Sequence, residues 1–408
     1  MNLDAACRSC GGNQLKPYLD LGQTPLADRL LTAEQLQEPE PVFPLQVAFC
    51  PECGLSQILE TVPPDVLFCD NYPYYSSFLP ALLQHSKENA LELIKDRKLS
   101  DSSFVVELAS NDGYLLKNYA ENGIPCLGVD PAEGPARSAE SIGVPTLVDF
   151  FTDKLAKDLV SQHGPADVIH ANNVLAHVAD TNGFVSGIAS LVKDEGVAVI
   201  EVPYVKELIE HCEFDTIYHE HLCYFSVTAL DNLFKRHGLF LNRVKRLPIH
   251  GGSLRLFLEP QERREKSVLS LLEEEKKEGV NQLTFYQDFA KRVEHLKESL
   301  TVLLKDLRAK EQSIAAYGAA AKGSTLINYA GIGKEFIDFV VDRNVHKHGK
   351  FMPGQHIPIY GPEMLQEKRP DYVLMLAWNF ADEIISQQQA YLDNGGHFII
   401  PVPEVSIS

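Results

Sequence analysis

Two pairs of cysteines could bind a metal. Cys7 and Cys10 form one Cys-x-x-Cys, Cys50 and Cys53 a second, and each pair is followed by glycine (CRSCGG, CPECGL). The two-residue spacer bends both sulfurs to one side, and Gly11 and Gly54 permit the tight backbone that this needs. Four thiolates are what a closed tetrahedral structural zinc takes. With sulfur in every position no place is left for a reacting water, so the metal is expected to hold structure and not to catalyse. The 39 residues between the pairs exceed a compact ribbon, so an inserted loop is expected. Cys69, Cys126, Cys212 and Cys223 lack such spacing and read as isolated thiols.

The segment FVVELASNDGYLL carries a second kind of chemistry. A strand ending in Glu107 runs into Ala109, Asn111 and Gly113, and a helix starts near Tyr114. Small residues at alternate places let a ligand approach the backbone, and a helix N-terminus favours a negative group. A dinucleotide fingerprint would have three glycines; this turn has only Gly113. Glu107 would repel a pyrophosphate but suits the amino-acid end of a methionine-derived cationic cofactor. Seventeen residues beyond Gly113 the strand CLGVD ends in Asp130, placed to accept from ribose hydroxyls. Asp149 and Phe150 then suit an adenine edge, a carboxylate for the exocyclic amine and a ring for stacking. A fourth strand ends at Asn172 and Asn173. The order Glu107, Gly113, Asp130, Asp149, Asn172 is that of a class I methyltransferase, and S-adenosylmethionine is the expected cofactor.

The run IYHEHLCYFSV is the densest polar-aromatic cluster, with Tyr218, His219, Glu220, His221 and Tyr224. Its histidines are two apart, not the i, i+4 pair of a helical zinc motif, so a metal site is a poor reading. Imidazole titrates near neutrality and is a natural proton acceptor, while tyrosine can bond a developing oxyanion. If the run is extended, His219 and His221 share a face and Glu220 points oppositely.

Three regions must position these groups. A cysteine- and proline-rich start covers residues 1–68. Short apolar strands alternate with helices over 69–250, the pattern of a parallel sheet covered on both faces. The third region, 251–408, begins with charged, leucine-spaced helices over 262–312, broken at Gly279 and expected to bracket the domains, and then repeats the strand–turn–helix texture. The expected fold is α/β: a zinc module, a central Rossmann-like domain and a C-terminal Rossmann-like domain. Hydrophobic residues at 45% support a sizeable core, and 37 basic against 56 acidic residues leave a net charge of −19. So acidic a surface argues against nucleic-acid and anionic-membrane binding. The N-terminus does not read as a secretory signal and no stretch reaches a membrane span, so a soluble cytoplasmic enzyme is expected. Nothing in the sequence fixes the oligomeric state.

With these segments in hand, the chain resembles the sugar C-methyltransferases of deoxysugar biosynthesis. The matching stretches are the two cysteine pairs, DNYPYYSS (70–77), VELASNDGYLL (106–116), YHEHLCYFS (218–226), HGGSLR (250–255), GAAAKGSTLINY (318–329) and VDRNVHKHGKFMPG (341–354). The resemblance implies S-adenosylmethionine-dependent methyl transfer to C-3 of a nucleotide-linked 4-keto-6-deoxysugar. It implies His221 as general base, with Tyr218, Glu220 and Tyr72 around the sugar; Tyr74 and Tyr75 adjoin Tyr72 and can take its place. Lys322, at a small-residue turn before a helix, is a candidate partner for the nucleotide diphosphate, or else a surface lysine. His250 and Arg255 belong either to the sugar pocket or to an interdomain turn. A sugar O- or N-methyltransferase and a NAD-dependent sugar oxidoreductase are the alternatives, with a zinc-ribbon interaction protein as a third.

Overall fold

The computed structural model describes residues 5–63, 67, 75–249 and 251–408. Tyr72 and His250 lie outside the described residues. The chain forms three sheets.

The first is antiparallel and joins β1 (Lys16–Thr24), β2 (Phe43–Phe49), β3 (Ser56–Ile58) and β9 (Cys223–Tyr224) in that order. β9 comes from the histidine-rich run, so the first module takes its fourth strand from the middle of the chain. The central sheet contains β4 (Val105–Leu108), β5 (Cys126–Val129), β6 (Thr146–Leu147), β7 (Ala166–Asn172), β8 (Val192–Pro203), β10 (Phe240–Leu247) and β11 (Ser253–Glu259). Its order is β10-β11-β8-β7-β4-β5-β6, with β11 antiparallel to both neighbours and the remaining pairs parallel. This is the class I methyltransferase arrangement expected from the sequence. β11, beyond residue 250, pairs with β8 and β10 of this central sheet.

The third sheet holds β12 (Ile314–Tyr317), β13 (Val340–Val341), β14 (Ile359–Tyr360), β15 (Tyr372–Met375), β16 (His397–Ile400) and β17 (Ser406–Ile407). Its order is β14-β13-β12-β15-β16-β17, parallel except for β17. The central strands are buried on both faces: Val105, Val106 and Leu108 have no exposure, nor do Val197, Ala198, Val199 and Ile200. That accounts for near-continuous apolar runs instead of alternation.

Between the two Rossmann-like units lie the expected helices, Lys266–Glu278 and Leu283–Ala309. Gly279 ends the first in the left-handed conformation. The second buries Tyr286, Phe289, Val293, Leu296, Leu300, Leu304 and Leu307, a stripe at three- and four-residue spacing. Tyr286 stacks on Phe49 of the first module with ring centroids 4.7 Å apart. Among the described residues no helix is long and apolar enough to cross a membrane.

Candidate active site and the cysteine centre

Each cysteine pair closes a tight backbone knuckle. The amide of Cys7 donates to Gly12 O and that of Gly11 to Cys7 O; the amide of Cys50 donates to Leu55 O and that of Gly54 to Cys50 O. Gly11 and Gly54 have φ of 73° and 80°, where a side chain would be strained. The four sulfurs lie within 4.8 Å of one another, Cys7 to Cys53 at 3.5 Å and Cys10 to Cys50 at 3.6 Å. A tetrahedral zinc with bonds of about 2.3 Å needs sulfurs close to this distance apart. The donor set therefore fits zinc. The knuckles are clamped to the central unit: Asn182 Nδ2 donates to the carbonyls of Arg8 (2.7 Å) and Ser9 (3.1 Å), and Asn232 Nδ2 to that of Cys53 (3.1 Å).

At the carboxyl edge of the central sheet, Ala109, Asn111 and Gly113 all have positive φ, of 56°, 49° and 76°. Such strain in Ala and Asn persists only where the surroundings enforce it, as at ligand sites. Asn111 N donates to Asp130 Oδ2 and Ala132 N to Asp130 Oδ1, both at 2.8 Å. Glu107 is wholly buried beneath the turn, and among the described residues neither carboxylate oxygen makes a close hydrogen bond. Burial, with Asp130 and Asp112 nearby, holds its pKa well above the usual carboxylate range. A buried carboxylate among other acids suits a cationic ligand. Asn172, at the end of β7, also leaves its Oδ1 without a partner among the described residues. Asp149 and Phe150 follow β6 at the surface, with Phe150 53% exposed and its amide donating to Asp149 Oδ1. The end of the tyrosine-rich stretch lies over the turn: Ser76 N donates to Asn111 Oδ1 (2.9 Å) and Ser77 N to Asp112 Oδ2 (3.1 Å).

The histidine-rich run is a tight turn, closed by His221 N donating to Tyr218 O at 2.9 Å. Its two histidines therefore do not share a face. His219 is buried with its Nε2 3.1 Å from Pro44 O and its ring against Phe43, inside the first module. The His221 ring lies against Tyr218, centroids 4.1 Å apart and tilted, and meets His177 edge-on at 4.9 Å. His221 Nδ1 donates to Thr216 O at 2.7 Å, which places the proton on Nδ1 and the lone pair on Nε2. Burial and the neighbouring Asp28 push Glu220 up to about 8, while burial pulls His177 down to about 4.

Family models match three consecutive parts of the chain: a domain described as zinc binding over 7–68, a methyltransferase domain over 75–242, and a C-methyltransferase C-terminal domain over 248–403. The C-methyltransferase NovU of Streptomyces niveus is 37% identical over 401 residues, which cover 98% of this chain and 95% of that protein. The chain belongs to the C-methyltransferase family. Solved structures that resemble part of the chain include magnesium protoporphyrin IX methyltransferase (ChlM) from Synechocystis PCC 6803 with bound SAM, at 14% identity over 43% of this chain and 78% of that one, TM-score 0.34. A S-adenosylmethionine-dependent methyltransferase from Clostridium acetobutylicum ATCC 824 gives 10% identity over 43% and 91%, TM-score 0.35.

The protein is thus an S-adenosylmethionine-dependent methyltransferase with an N-terminal zinc-type centre. Two of its sequence-derived candidates sit away from the cleft turn. Arg255, on β11, lies opposite Glu201 of β8 and donates to its carboxylate at 2.6 Å, with His85 Nε2 3.0 Å from the guanidinium. Lys322, in the first turn of the helix Ala321–Ala330, holds its ammonium 4.5 Å from the Trp378 ring centre. It is also the positive neighbour that offsets burial at Asp215 and Glu213. Sequence reasoning passed over His177, Asp215 and Trp378. His177 was visible only as a histidine just after the β7 strand, and nothing local signals the other two.

Proposed function

We propose that the enzyme methylates C-3 of a nucleotide-linked 4-keto-6-deoxysugar by way of an enolate that its own base generates. The supporting observation is the tautomer of His221, whose Nδ1 bond to Thr216 O puts the proton on Nδ1 and leaves Nε2 as the basic nitrogen. A carbon beside a ketone is the sugar carbon acidic enough for such a base, and an imidazole is near the working pKa. His221 Nε2 takes the α-proton, and the electron pair moves onto the ketone oxygen. Tyr218, stacked on His221, donates to that oxygen. Glu220, protonated at neutral pH because of its raised pKa, donates to another sugar oxygen, and Tyr72 is a further candidate for the sugar. When bound, S-adenosylmethionine supplies a methyl group on a positive sulfur. Glu107, Asn111 and Gly113 receive its methionine end, Asp130 its ribose, and Asp149, Phe150 and Asn172 its adenine side. Excluding water and aligning the enolate carbon with that methyl are the protein's remaining tasks.

Lys322, at a helix N-terminus, remains the candidate for the diphosphate. His250 remains a candidate for the sugar, whereas Arg255, committed to Glu201, acts through the sheet. Mass spectrometry of products from S-adenosylmethionine and a panel of nucleotide-linked 4-ketosugars tests the proposal. A product heavier by one methyl on carbon supports it. Methylation of a hydroxyl or amine, or none across the panel, overturns it.

A further inference from the structure

We infer that Trp378, from the C-terminal unit, is a positioning residue for His221. The inference rests on His221 being the base and adds what holds it in that state. Thr216, whose carbonyl fixes the His221 tautomer, belongs to the short 3-10 turn Phe214–Thr216. Such a turn has no sheet or long helix to orient its carbonyls, so its direction depends on side-chain anchors. Two come from the C-terminal unit. Trp378 Nε1 donates to Asp215 Oδ2 at 2.6 Å, a short bond to a fully buried carboxylate. The Phe214 ring meets Tyr329 edge-on at 5.5 Å. The third is local, the Thr216 hydroxyl on Glu213 O at 2.7 Å.

The path from indole to imidazole therefore runs through one peptide. Trp378 fixes Asp215, Asp215 is bonded in sequence to Thr216, and Thr216 O takes the Nδ1 proton. Asp215 Oδ1 has no partner among the described residues. Loss of the indole donor would thus leave this buried carboxylate with less support, and the turn would shift to find more. A displaced carbonyl no longer selects Nδ1–H over Nε2–H, and a base with its proton on Nε2 cannot accept one there.

The test compares Trp378→Phe, Asp215→Asn and His221→Asn with wild type in the full-length, zinc-loaded protein. Folding is checked by circular dichroism and cofactor affinity by calorimetry. Long-range proton–nitrogen NMR on histidine-labelled protein, assigned with His221→Asn, reads the His221 tautomer directly. We expect Nδ1–H in wild type and a mixture in Trp378→Phe. Exchange of the sugar α-proton in deuterated water should fall roughly ten- to hundredfold in Trp378→Phe, at unchanged S-adenosylmethionine affinity. Asp215→Asn keeps an acceptor for the indole but loses the charge that strengthens the bond, and should fall between wild type and Trp378→Phe in both readouts. A wild-type tautomer in Trp378→Phe overturns the inference, as does a cofactor affinity that falls in step with exchange. If His221→Asn exchanges the proton at the wild-type rate, the base assignment fails, while the tautomer readout still decides the role of Trp378.

Discussion

The central and C-terminal units share a design and differ in chemistry. In each, a parallel strand runs into a small-residue turn, and a carboxylate at the end of the next strand accepts from an amide of that turn. Asp130 Oδ2 takes Asn111 N at 2.8 Å; Asp342 Oδ2 takes Ala319 N at 2.7 Å. In the central unit the surroundings are acidic, with Glu107 buried below and making no close hydrogen bond among the described residues and Asp112 nearby. In the C-terminal unit Lys347 fills the corresponding place. Its Nζ donates to Ala319 O at 2.7 Å and lies 3.5 Å from Asp342, and β12, reading IAAY, has no acid. The acids of the first turn suit a cationic group, whereas at the second a lysine of the chain already stands beside the acid. One topology therefore supports a cofactor site in one copy and a self-filled turn in the other, so function has to be argued from the residues.

The largest effect that bears on this comparison comes from the metal, because the first module holds both units. It bonds the central one through Asn182 and Asn232. It bonds the C-terminal one through paired backbone bonds of Leu31 with Phe351 and the ion pair of Glu40 with His356. Structural zinc contributes about 10–16 kcal/mol in small domains. Chelation or Cys50→Ser should unfold residues 5–63 and free both units. Metal analysis should find one zinc per chain, and limited proteolysis should cut this region first. A folded, zinc-free protein would contradict this.

Next in size is the cofactor itself. Removing a charged hydrogen-bond partner costs about 1.5–3 kcal/mol, so Asp130→Ala should weaken S-adenosylmethionine binding roughly ten- to hundredfold. Asp342→Ala should leave it unchanged. Calorimetry giving equal losses would erase the distinction between the two turns.

The smallest effect concerns Glu220, in the turn that carries His221. Its folded pKa of about 8 lies above the ordinary 4.5. Its contribution to stability is therefore present below about 4.5 and lost as pH rises through about 8. Glu220→Gln should melt a few degrees above wild type at pH 9, with the gap closing toward pH 5. A gap independent of pH would mean that the carboxyl titrates normally.

How far the sequence reveals the site depends on how local the cause is. The cysteine knuckles and the Ala109–Gly113 turn are set by a few neighbouring residues, and their spacing is legible. His219 and His221 would share a face only in an extended run; the run bends at Tyr218–His221, and the partner of His219, Pro44 O, lies 175 residues away. The partner of Arg255 depends on the β8–β11 register, which no single segment carries. Trp378 and Asp215 are 163 residues apart and meet only when the two Rossmann-like units dock.

The central claim is that His221 removes a proton from the carbon beside the ketone before any methyl moves. The most direct measurement is exchange of that proton with deuterated water in the absence of methyl donor. Wild type should exchange it, and His221→Asn should be slower by about 10²–10⁴-fold with S-adenosylmethionine affinity intact. Exchange by His221→Asn at the wild-type rate would contradict the account and move the base to another residue of the cleft.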